Sequence, residues 1–301
     1  MIELVLSDLD DTLIRYGLPH ITQNALDAIH AVQAAGVHFG PATGRIGADL
    51  AWMFDGDEAA YATGVRVNGQ MVYLDGELIH GVPDDSAALD RAAQAVRTHP
   101  GCALVLYDVD TGETCAVGVT MDVVRAAPEV FKRVSRVSER VPDGTWYKAN
   151  VHVTGDRAFS QALKDELTAL CPELDFVFPN PRGSLFDVLP HKWNKASGAE
   201  VLRKALGIER EEVCVFGDAE NDLSVIRAYP NATAVSNAAT VVSDFARWHI
   251  GSTKDDAVAE ALYDIAEATP AGRMPNFMSA IDNLAGLGFR VSGAEGLGGM
   301  R

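Results

Sequence analysis

The sequence predicts an α/β fold, a doubly wound parallel sheet interrupted by an inserted α+β module. Three observations support this prediction. Strand-like apolar runs alternate with helical patterns over residues 3–54, paired strand patterns dominate residues 83–188, and the strand–helix alternation returns from residue 195. Alternation of this kind is typical of βαβ units, in which helices cover both faces of a parallel sheet.

The first segment begins with an apolar run at residues 3–7, which predicts a buried strand. A helix is predicted over residues 22–36, with Thr22 as its N-cap and Gly36 as its end. A strand at 37–43 and a short helix at 46–54 follow. Residues 65–81 differ, because they are β-rich around Asn68-Gly69, a dipeptide that strongly indicates a hairpin turn.

The second segment has the pattern of a separate α+β module. Helices are predicted at 86–99 and 157–170, and strands at 102–119 (two, around Thr111-Gly112), 146–155, 175–179 and 184–190. Pro83 and the loops at 179–183 and 189–194 mark its edges. We therefore expect a core domain of residues 1–82 plus 189–301 and an inserted module of residues 83–188.

The third segment predicts a helix at 195–207, a strand and helix within 212–229, and strands at 231–239 and 248–253. From Thr269 the chain is Gly-rich around one amphipathic stretch, residues 276–288. The apolar stripe of Phe277, Ile281 and Leu284 predicts a helix that docks on the core, with a dimer contact as the alternative.

The composition argues against several classes of partner. Acidic residues outnumber Lys and Arg by 42 to 25, so the formal net charge is −17. Such a surface repels phosphate backbones and anionic lipids, and we expect no nucleic acid and no membrane as partner. The four cysteines include no Cys-x-x-Cys pair, and no run approaches the ~20 apolar residues of a membrane helix. We expect a cytoplasmic protein, for which an oligomer is allowed but not indicated.

Polar residues follow three predicted strands at the point where each ends. They are Asp8 and Asp10, Thr43-Gly44-Arg45, and the stretch 217–222. Ligands of open parallel sheets bind beyond these carboxyl ends. Crowded carboxylates need a cation among them, and Mg²⁺ favours carboxylates, water and substrate phosphate. The sequence therefore predicts a divalent cation site at this edge.

Each of these stretches also has an ordinary structural explanation. Acidic residues after a strand often solvate a turn, Thr43-Gly44 is common loop chemistry, and Asp218 could be a helix N-cap. Lys195 could be a surface lysine near a helix start. The four features in this order, each at a predicted strand or helix edge, favour one common site.

The combined pattern resembles the four signature motifs of the haloacid dehalogenase-like hydrolase superfamily. The matching residues are Asp8-x-Asp10-x-Thr12, Thr43-Gly44-Arg45, Lys195 and Gly217-Asp218-x-x-Asn221-Asp222. The inserted module resembles the type IIB cap of the Cof-like subfamily, and the resemblance implies a Rossmann-like core. Asp11 departs from the Gly that is common at its position. Lys192 competes with Lys195, which we choose because the family's lysine typically opens the following helix.

The resemblance implies a phosphoric monoester hydrolase that uses Mg²⁺ and acts on a small phosphate ester, such as a sugar phosphate. Asp8 would be the nucleophile that forms an aspartyl-phosphate, and Asp10 the general acid and base. The resemblance also implies the metal ligands: Mg²⁺ would be bound by the side chains of Asp8 and Asp218 and by the backbone carbonyl of Asp10. Asp222 would orient this metal shell. The residues implied to hold the phosphoryl group are Leu9, Thr43, Gly44, Lys195 and Asn221.

Two alternatives share these residues, namely a phosphomutase and a non-catalytic module that binds Mg²⁺ or a phosphorylated ligand. A dinucleotide-binding dehydrogenase is disfavoured, because no Gly-x-Gly-x-x-Gly follows the first strand. In the inserted module, Tyr107, Tyr147 and His152 are candidate specificity contacts, with packing as the alternative role. His191 and Trp193 either reach the substrate or pack the linker.

Overall fold

The computed structural model describes residues 1–179 and 185–279. Within these residues the strands are β1 (Leu4–Ser7), β2 (His38–Pro41), β3 (Gly64–Arg66), β4 (Met71–Leu74), β5 (Glu77–Gly81), β6 (Cys102–Tyr107), β7 (Thr114–Val117), β8 (Arg136–Ser138), β9 (Lys148–Val153), β10 (Leu174–Val177), β11 (Phe186–Pro190), β12 (Val213–Gly217), β13 (Asn231–Val235) and β14 (Trp248–Ile250). The α-helices are α1 (Gln23–Ala34), α2 (Gly47–Met53), α3 (Ser86–Val96), α4 (Met121–Ala126), α5 (Arg157–Leu170), α6 (Lys195–Leu206), α7 (Leu223–Ala228), α8 (Thr240–Ser243) and α9 (Ala257–Ala268).

The core is a five-stranded parallel sheet in the order β14-β13-β12-β1-β2. Side chains alternate across it, so Val5 faces a layer formed by α1, α2 and α9, whereas Leu4 and Leu6 face α6, α7 and α8. Both layers are apolar and fully buried at the strands. The predicted doubly wound parallel sheet is confirmed, and its carboxyl edge is free to carry a site.

A small antiparallel sheet, β3-β4-β5, lies beside this core. Its first hairpin pairs Gly64 with Tyr73 and Arg66 with Met71, which confirms the hairpin predicted from Asn68-Gly69. Bridge pairing between Ala42 and Val65 connects the hairpin to the end of β2. The turn at Asn68-Gly69 therefore lies next to the loop that contains Thr43.

The inserted module contains a six-stranded sheet in the order β10-β11-β9-β6-β7-β8, antiparallel except for the β7–β8 pair. Helices α3 and α5 cover one face through an apolar cluster that includes Leu104, Val151 and Leu163. The other face carries buried polar residues, among them Lys148 and Asp187. Strand β11 runs to Pro190, two residues beyond the module edge expected from the sequence.

Four helices and strands in the described residues have no counterpart in the sequence prediction: α4, β8, the four-residue helix α8, and α9. The strand β8 is only three residues long, and α4 only six, so neither shows a readable periodicity. Helix α9 does carry a helical pattern, with Val258, Leu262 and Ile265 buried against α1. Of the predicted C-terminal stripe, Phe277 packs against Phe216, while Ile281 and Leu284 lie outside the described residues.

Two further observations concern the chain as a whole. All four cysteines are free and buried. Among the residues described here, no helix combines the length and apolar character required to cross a membrane.

The inserted module begins at a buried carboxyl group, Asp84. Its side chain is 4% exposed, Gln70 Nε2 donates to Oδ1 at 3.2 Å, and its backbone N–H donates to the Trp146 carbonyl at 2.8 Å. Burial raises the pKa of Asp84 to about 8 from a usual value of 3.8. Lys148, which lowers this pKa, and Asp187, which raises it further, are the nearby charges. The folded chain therefore retains a proton on Asp84 that the unfolded chain releases.

This retained proton predicts a pH-dependent stability. Between about pH 4 and pH 8 the folded state binds more protons, so the free energy of unfolding should fall by up to ~1.4 kcal/mol per pH unit as pH rises. Asp84→Asn should remove this slope and be the more stable protein at pH 8. The measurement is urea unfolding of wild type and Asp84→Asn at several pH values. Asp85→Asn is the control, because it makes the same chemical change at an exposed position. Equal slopes for Asp84→Asn and wild type would contradict the prediction.

Candidate active site

The carboxyl ends of three core strands meet at one edge of the sheet. In the register of the sheet, Ser7 lies opposite Phe216 on one side and Pro41 on the other. The chain therefore leaves β1 at Asp8 and β12 at Asp218 on the same edge, close to the end of β2. The backbone N–H of Asp8 donates to the Phe216 carbonyl at 3.0 Å, which extends the pairing to the site.

A fully buried lysine lies among these carboxylates. Lys195 is the first residue of α6, whose start is capped by Asn194 through a reciprocal capping box with Ser197. Its Nζ donates to Asp8 Oδ1 and to Asp222 Oδ1, both at 2.6 Å, and its side chain is 0% exposed. The ends of β1, the loop after β12 and the start of α6 are thus joined through one ammonium group.

Charge is not balanced in this cluster. Lys195 faces Asp8 and Asp222 directly, and Asp218 lies beside them. Burial raises the pKa of Asp8 well above its usual range despite the opposing effect of Lys195, and burial raises that of Asp218 to about 7. Burial alone would lower the pKa of Lys195, but Asp222 and Asp8 outweigh it and the pKa is raised. A further cation would be stabilised here.

The loop after β12 holds its carboxylates by backbone and hydroxyl contacts. Asp222 Oδ2 accepts from the backbone N–H groups of Asp218 and Ala219 at 3.0 and 3.1 Å, and Thr12 Oγ1 donates to Asp218 Oδ1 at 2.9 Å. A Cβ at Gly217 would lie 2.7 Å from that of Asp222, so glycine is required there. One oxygen from each of Asp8, Asp218 and Asp222 lies within 4.8 Å of the others, an arrangement that could hold a metal ion.

Asp10 lies apart from this carboxylate cluster. Its side chain is 51% exposed and forms a two-pronged pair with Arg45, with Nε–Oδ2 at 2.9 Å and Nη2–Oδ1 at 2.7 Å. Arg45 Nη1 also lies 4.0 Å from Asp49 Oδ2. Asp10, the predicted general acid and base, thus lies at the same edge of the sheet as the cluster. Its carboxylate, however, is paired with Arg45 in the loop after β2.

The predicted phosphate-binding residues surround the cluster. Thr43 is buried, and its Oγ1 accepts from the Arg45 backbone N–H at 3.2 Å. Leu9 is fully buried, and its carbonyl accepts from the Ile14 N–H at 2.7 Å. Asn221 lies in the loop after β12, where its Oδ1 is buried and makes no hydrogen bond within residues 1–179 and 185–279. Such an unsatisfied group is a candidate for ligand contact.

The structure also accounts for the two departures from the family pattern. Asp11 has φ of 62°, a conformation that Gly adopts freely and that Asp tolerates better than most residues. Its side chain accepts from the Tyr16 N–H at 2.9 Å, which supports the turn. Lys192 is exposed, whereas Lys195 is buried in the cluster, so Lys195 alone of the two lies among the site carboxylates.

The candidate specificity residues lie in two places. Tyr107 Oη is 3.1 Å from His152 Nε2 on the polar face of the six-stranded sheet, and His152 is stacked on Phe131. Tyr147 packs against the linker at Gly81, where a Cβ would lie 3.1 Å from its Oη. Their roles in specificity stay predictions.

The two linker candidates make local contacts. Trp193 Nε1 donates to the Gly69 carbonyl at 2.7 Å, and its ring stacks on His80. His191 pairs with Asp175 at 2.9 Å. Trp193 thereby ties the linker before α6 to the turn at Asn68-Gly69.

Comparison with known proteins decides the family. The model of the haloacid dehalogenase-like hydrolases matches residues 5–262, which include every candidate site residue described above. The chain belongs to the haloacid dehalogenase-like hydrolase family. It is therefore an enzyme of the hydrolase class, and the resemblance stated from its four motifs is confirmed at the level of the family.

Individual relatives of this haloacid dehalogenase-like hydrolase are distant. The Bacillus subtilis (strain 168) protein named "Putative phosphatase YkrA" is 23% identical over 87% of the chain and 97% of its own length. The 5-amino-6-(5-phospho-D-ribitylamino)uracil phosphatase YbjI of Escherichia coli (strain K12) is 34% identical, over 27% of the chain and 29% of its own length. The structure of the subclass IIB sugar phosphatase BT4131 has a TM-score of 0.72 at 19% identity, covering 86% of this chain and 97% of that one. The fold, including an inserted cap, is shared with that protein.

Proposed function

We propose that the chain is a Mg²⁺-dependent phosphatase that hydrolyses a small phosphorylated metabolite through an aspartyl-phosphate on Asp8. The observation that carries the proposal is the placement of Lys195 Nζ 2.6 Å from both Asp8 and Asp222. This contact assembles the first, third and fourth motifs into one buried site. The named activities of YbjI and BT4131, both phosphatases, support the same reaction type.

The donor set fits a hard divalent cation, because it consists of carboxylate oxygens with a net negative charge. Asp8 and Asp218 would bind Mg²⁺ by their side chains and Asp10 by its backbone carbonyl. Asp222 has both oxygens engaged, one by Lys195 and one by backbone N–H groups, and would orient the other ligands. When bound, Mg²⁺ supplies neutralisation of the charge on the transferring phosphoryl group.

The proposed chemistry has two steps. In the first, a carboxylate oxygen of Asp8 attacks phosphorus while the bond to the leaving oxygen breaks, and Asp10 gives that oxygen a proton. In the second, Asp10 takes a proton from water, which attacks phosphorus and releases Asp8 and inorganic phosphate. Lys195, Thr43, Asn221 and the amides of Leu9 and Gly44 would hold the phosphoryl oxygens. Positioning and charge neutralisation are the main demands of phosphoryl transfer.

We treat residues 83–188 as the cap over this site. Contacts between cap and core outside the linkers include Arg133 Nη1 to Asp49 Oδ1 at 2.8 Å, Asn68 Nδ2 to Asp187 Oδ2 at 2.6 Å and Arg157 Nη2 to Glu220 Oε2 at 3.8 Å. A cavity of about 320 Å³ lies between them, lined by Lys195, Asn221 and Asn68 together with apolar side chains such as Phe176 and Trp193. This volume suits a small leaving group.

A cap that covers the site predicts the class of substrate. Phosphorylated sugars and similar metabolites should be hydrolysed, whereas a folded phosphoprotein should be a poor substrate because the cap prevents its approach. The measurement is phosphate release from a panel of sugar phosphates, nucleotides, phosphorylated cofactors and one phosphoprotein. Phosphate release also separates hydrolysis from mutase activity. Efficient action on the phosphoprotein, with sugar phosphates ignored, would contradict the proposal.

The proposed metal site predicts a shift in melting temperature when Mg²⁺ is added. A cation that binds only the folded state adds roughly 2.7 kcal/mol at ~100 times its dissociation constant, which corresponds to about 5 °C for a chain of this size. Mg²⁺ should therefore raise Tm and a chelator should lower it. Asp218→Ala should lose most of the shift. Asp11→Asn removes a neighbouring charge outside the cluster and should retain it.

Paired melts at constant ionic strength test this prediction. An equal Mg²⁺ shift in wild type and in Asp218→Ala would place the cation elsewhere. A reduced shift in Asp11→Asn equal to that of Asp218→Ala would indicate a general charge effect instead of direct ligation by Asp218.

A further inference from the structure

The turn between β3 and β4 is strained and lies beside the active site. Its residues Val67, Asn68 and Gly69 have φ angles of 53°, 51° and 104°. A β-branched residue rarely adopts such a conformation, which persists only where the surroundings enforce it. The Asn-Gly pair explains a hairpin turn, but it does not explain a valine in the first left-handed position. The surroundings of the turn must therefore supply the constraint.

Contacts to two site loops hold the turn in place. The backbone N–H of Asn68 donates to the Thr43 carbonyl at 2.8 Å, and that of Val67 donates to the Arg45 carbonyl at 3.2 Å. On the other side, a Cβ at Gly69 would lie 2.1 Å from the Asn194 carbonyl oxygen. The turn is thus clamped between the Thr43 loop and the start of the helix that carries Lys195.

The side chain of Asn68 points into the site from this clamped backbone. It is 2% exposed, and its Oδ1 accepts a long hydrogen bond of 3.5 Å from Asn221 Nδ2. A Cβ at Gly44 would lie 3.1 Å from the Asn68 carboxamide. Asn68 therefore touches both Asn221 and Gly44, which we propose as phosphate-binding residues.

The other end of the same carboxamide reaches the cap. Asn68 Nδ2 donates to Asp187 Oδ2 at 2.6 Å, a contact between residues 119 positions apart. Asp187 is 3% exposed on β11, and its Oδ1 accepts from Lys148 Nζ at 2.6 Å and also from Asn150 Nδ2. Because Lys148 and Asn150 both lie on β9, the cap presents Asp187 as a fixed, charge-paired acceptor.

We propose that Asn68 is a positioning residue that couples the seating of the cap to the phosphate-binding loop at Asn221. This role rests on the proposed function of that loop. With the cap seated, Asp187 fixes the Asn68 carboxamide, and its oxygen faces Asn221. With the cap displaced, the carboxamide loses its acceptor and Asn221 loses its partner. The phosphate site is then complete only under a closed cap.

Asn68→Gly is the selective variant for testing this coupling. Asn68→Gly removes the carboxamide and preserves the left-handed backbone, because glycine adopts positive φ without strain. Asp187→Ala removes the acceptor from the cap side. Arg133→Met is the matched control, since it breaks a different cap–core contact, to Asp49, and leaves Asn68 untouched. If Asp187→Ala unfolds the cap, Asp187→Leu combined with Lys148→Met removes both buried charges together.

The first readout is amide hydrogen exchange in residues 217–224, which does not depend on activity. Asn68→Gly and Asp187→Ala should each accelerate exchange there about tenfold, as expected for one lost hydrogen bond, and the double variant should be no faster than either. Arg133→Met should leave this segment at the wild-type rate. Wild-type exchange in either single variant, or additive effects in the double, would overturn the proposal.

The second readout is steady-state kinetics with a hydrolysed sugar phosphate. Asn68→Gly should lower kcat/KM about tenfold at nearly unchanged Tm, and Asp187→Ala should add little to it. In the Arg133→Met background, Asn68→Gly should still lower kcat/KM about tenfold. An activity loss that follows Tm would indicate a merely structural role. Absence of phosphate release by wild type would refute the proposed function, while the exchange data would still decide the coupling.

Discussion

Asp8→Asn is expected to abolish phosphate release, with kcat at least ~1000-fold below wild type. Removal of a covalent nucleophile, the role proposed for Asp8, has an effect of this scale or more. An amide oxygen does not attack phosphorus at a comparable rate. The fold should persist, because Asn still offers an oxygen to Lys195 Nζ, which donates to Asp8 at 2.6 Å. Burial disfavours the ionised Asp8 side chain and raises its pKa, so the variant should be at least as stable as wild type without Mg²⁺.

The measurement combines phosphate release with thermal melts of the same preparations. Asp11→Asn is the control, because it makes the same chemical change in the adjacent turn. Within the described residues, the Asp11 carboxylate accepts one hydrogen bond, from the backbone N–H of Tyr16. It should retain substantial activity. Turnover of an aryl phosphate by Asp8→Asn at a near-wild-type rate would refute the covalent mechanism.

Lys195→Met is expected to have the largest combined effect on activity and stability. The ammonium is completely buried and pairs with both Asp8 and Asp222. Its removal leaves two buried carboxylates uncompensated, which typically costs about 3–5 kcal/mol. Activity should fall at least ~100-fold, because the cation proposed to bind the phosphoryl group is lost together with the position of the proposed nucleophile, Asp8.

Lys192→Met is the matched control for this prediction. Lys192 is three residues earlier in the chain and exposed, and its backbone N–H, not its side chain, binds Asp175 at 2.7 Å. Urea unfolding and kcat/KM should both remain near wild type. If Lys192→Met abolished activity and Lys195→Met did not, the assignment of the third motif would be wrong.

The backbone conformation at Asp11 depends on both the local sequence and the tertiary structure. The departure from Gly is visible in the sequence, but its consequence is not. In the folded chain Asp11 has positive φ, and its carbonyl accepts from Asn237 Nδ2 at 2.8 Å and from Thr253 Oγ1 at 2.5 Å. Two distant loops thus hold the turn after β1, and a residue that tolerates this conformation replaces Gly without opening it.

Arg45 and Asn68 both stand out in the sequence, but for reasons unrelated to the contacts that they make in the folded chain. Arg45 completes the Thr-Gly-Arg motif, and the pairing of its guanidinium with Asp10, 35 positions away, becomes apparent only in the fold. The dipeptide Asn68-Gly69 correctly predicted a hairpin turn, but a turn dipeptide carries no information about the contact between Asn68 and Asp187. The valine before Asn68, unusual at a turn, was the available hint. Asp187 and Lys148 lie in strands whose patterns suggested only burial.

The sequence by itself determined the parallel core, the inserted α+β module and the strand ends at which Asp8, Thr43 and Asp218 lie. These features depend on hydrophobic period, caps and turn residues, all of which act over a few neighbouring positions. Only the tertiary structure decided that Lys195 bridges Asp8 and Asp222, that Arg45 holds Asp10, and that Asn68 connects the core to Asp187. Such contacts join residues from 27 to 187 positions apart, so their geometry depends on how the sheets and loops pack, which no local pattern encodes.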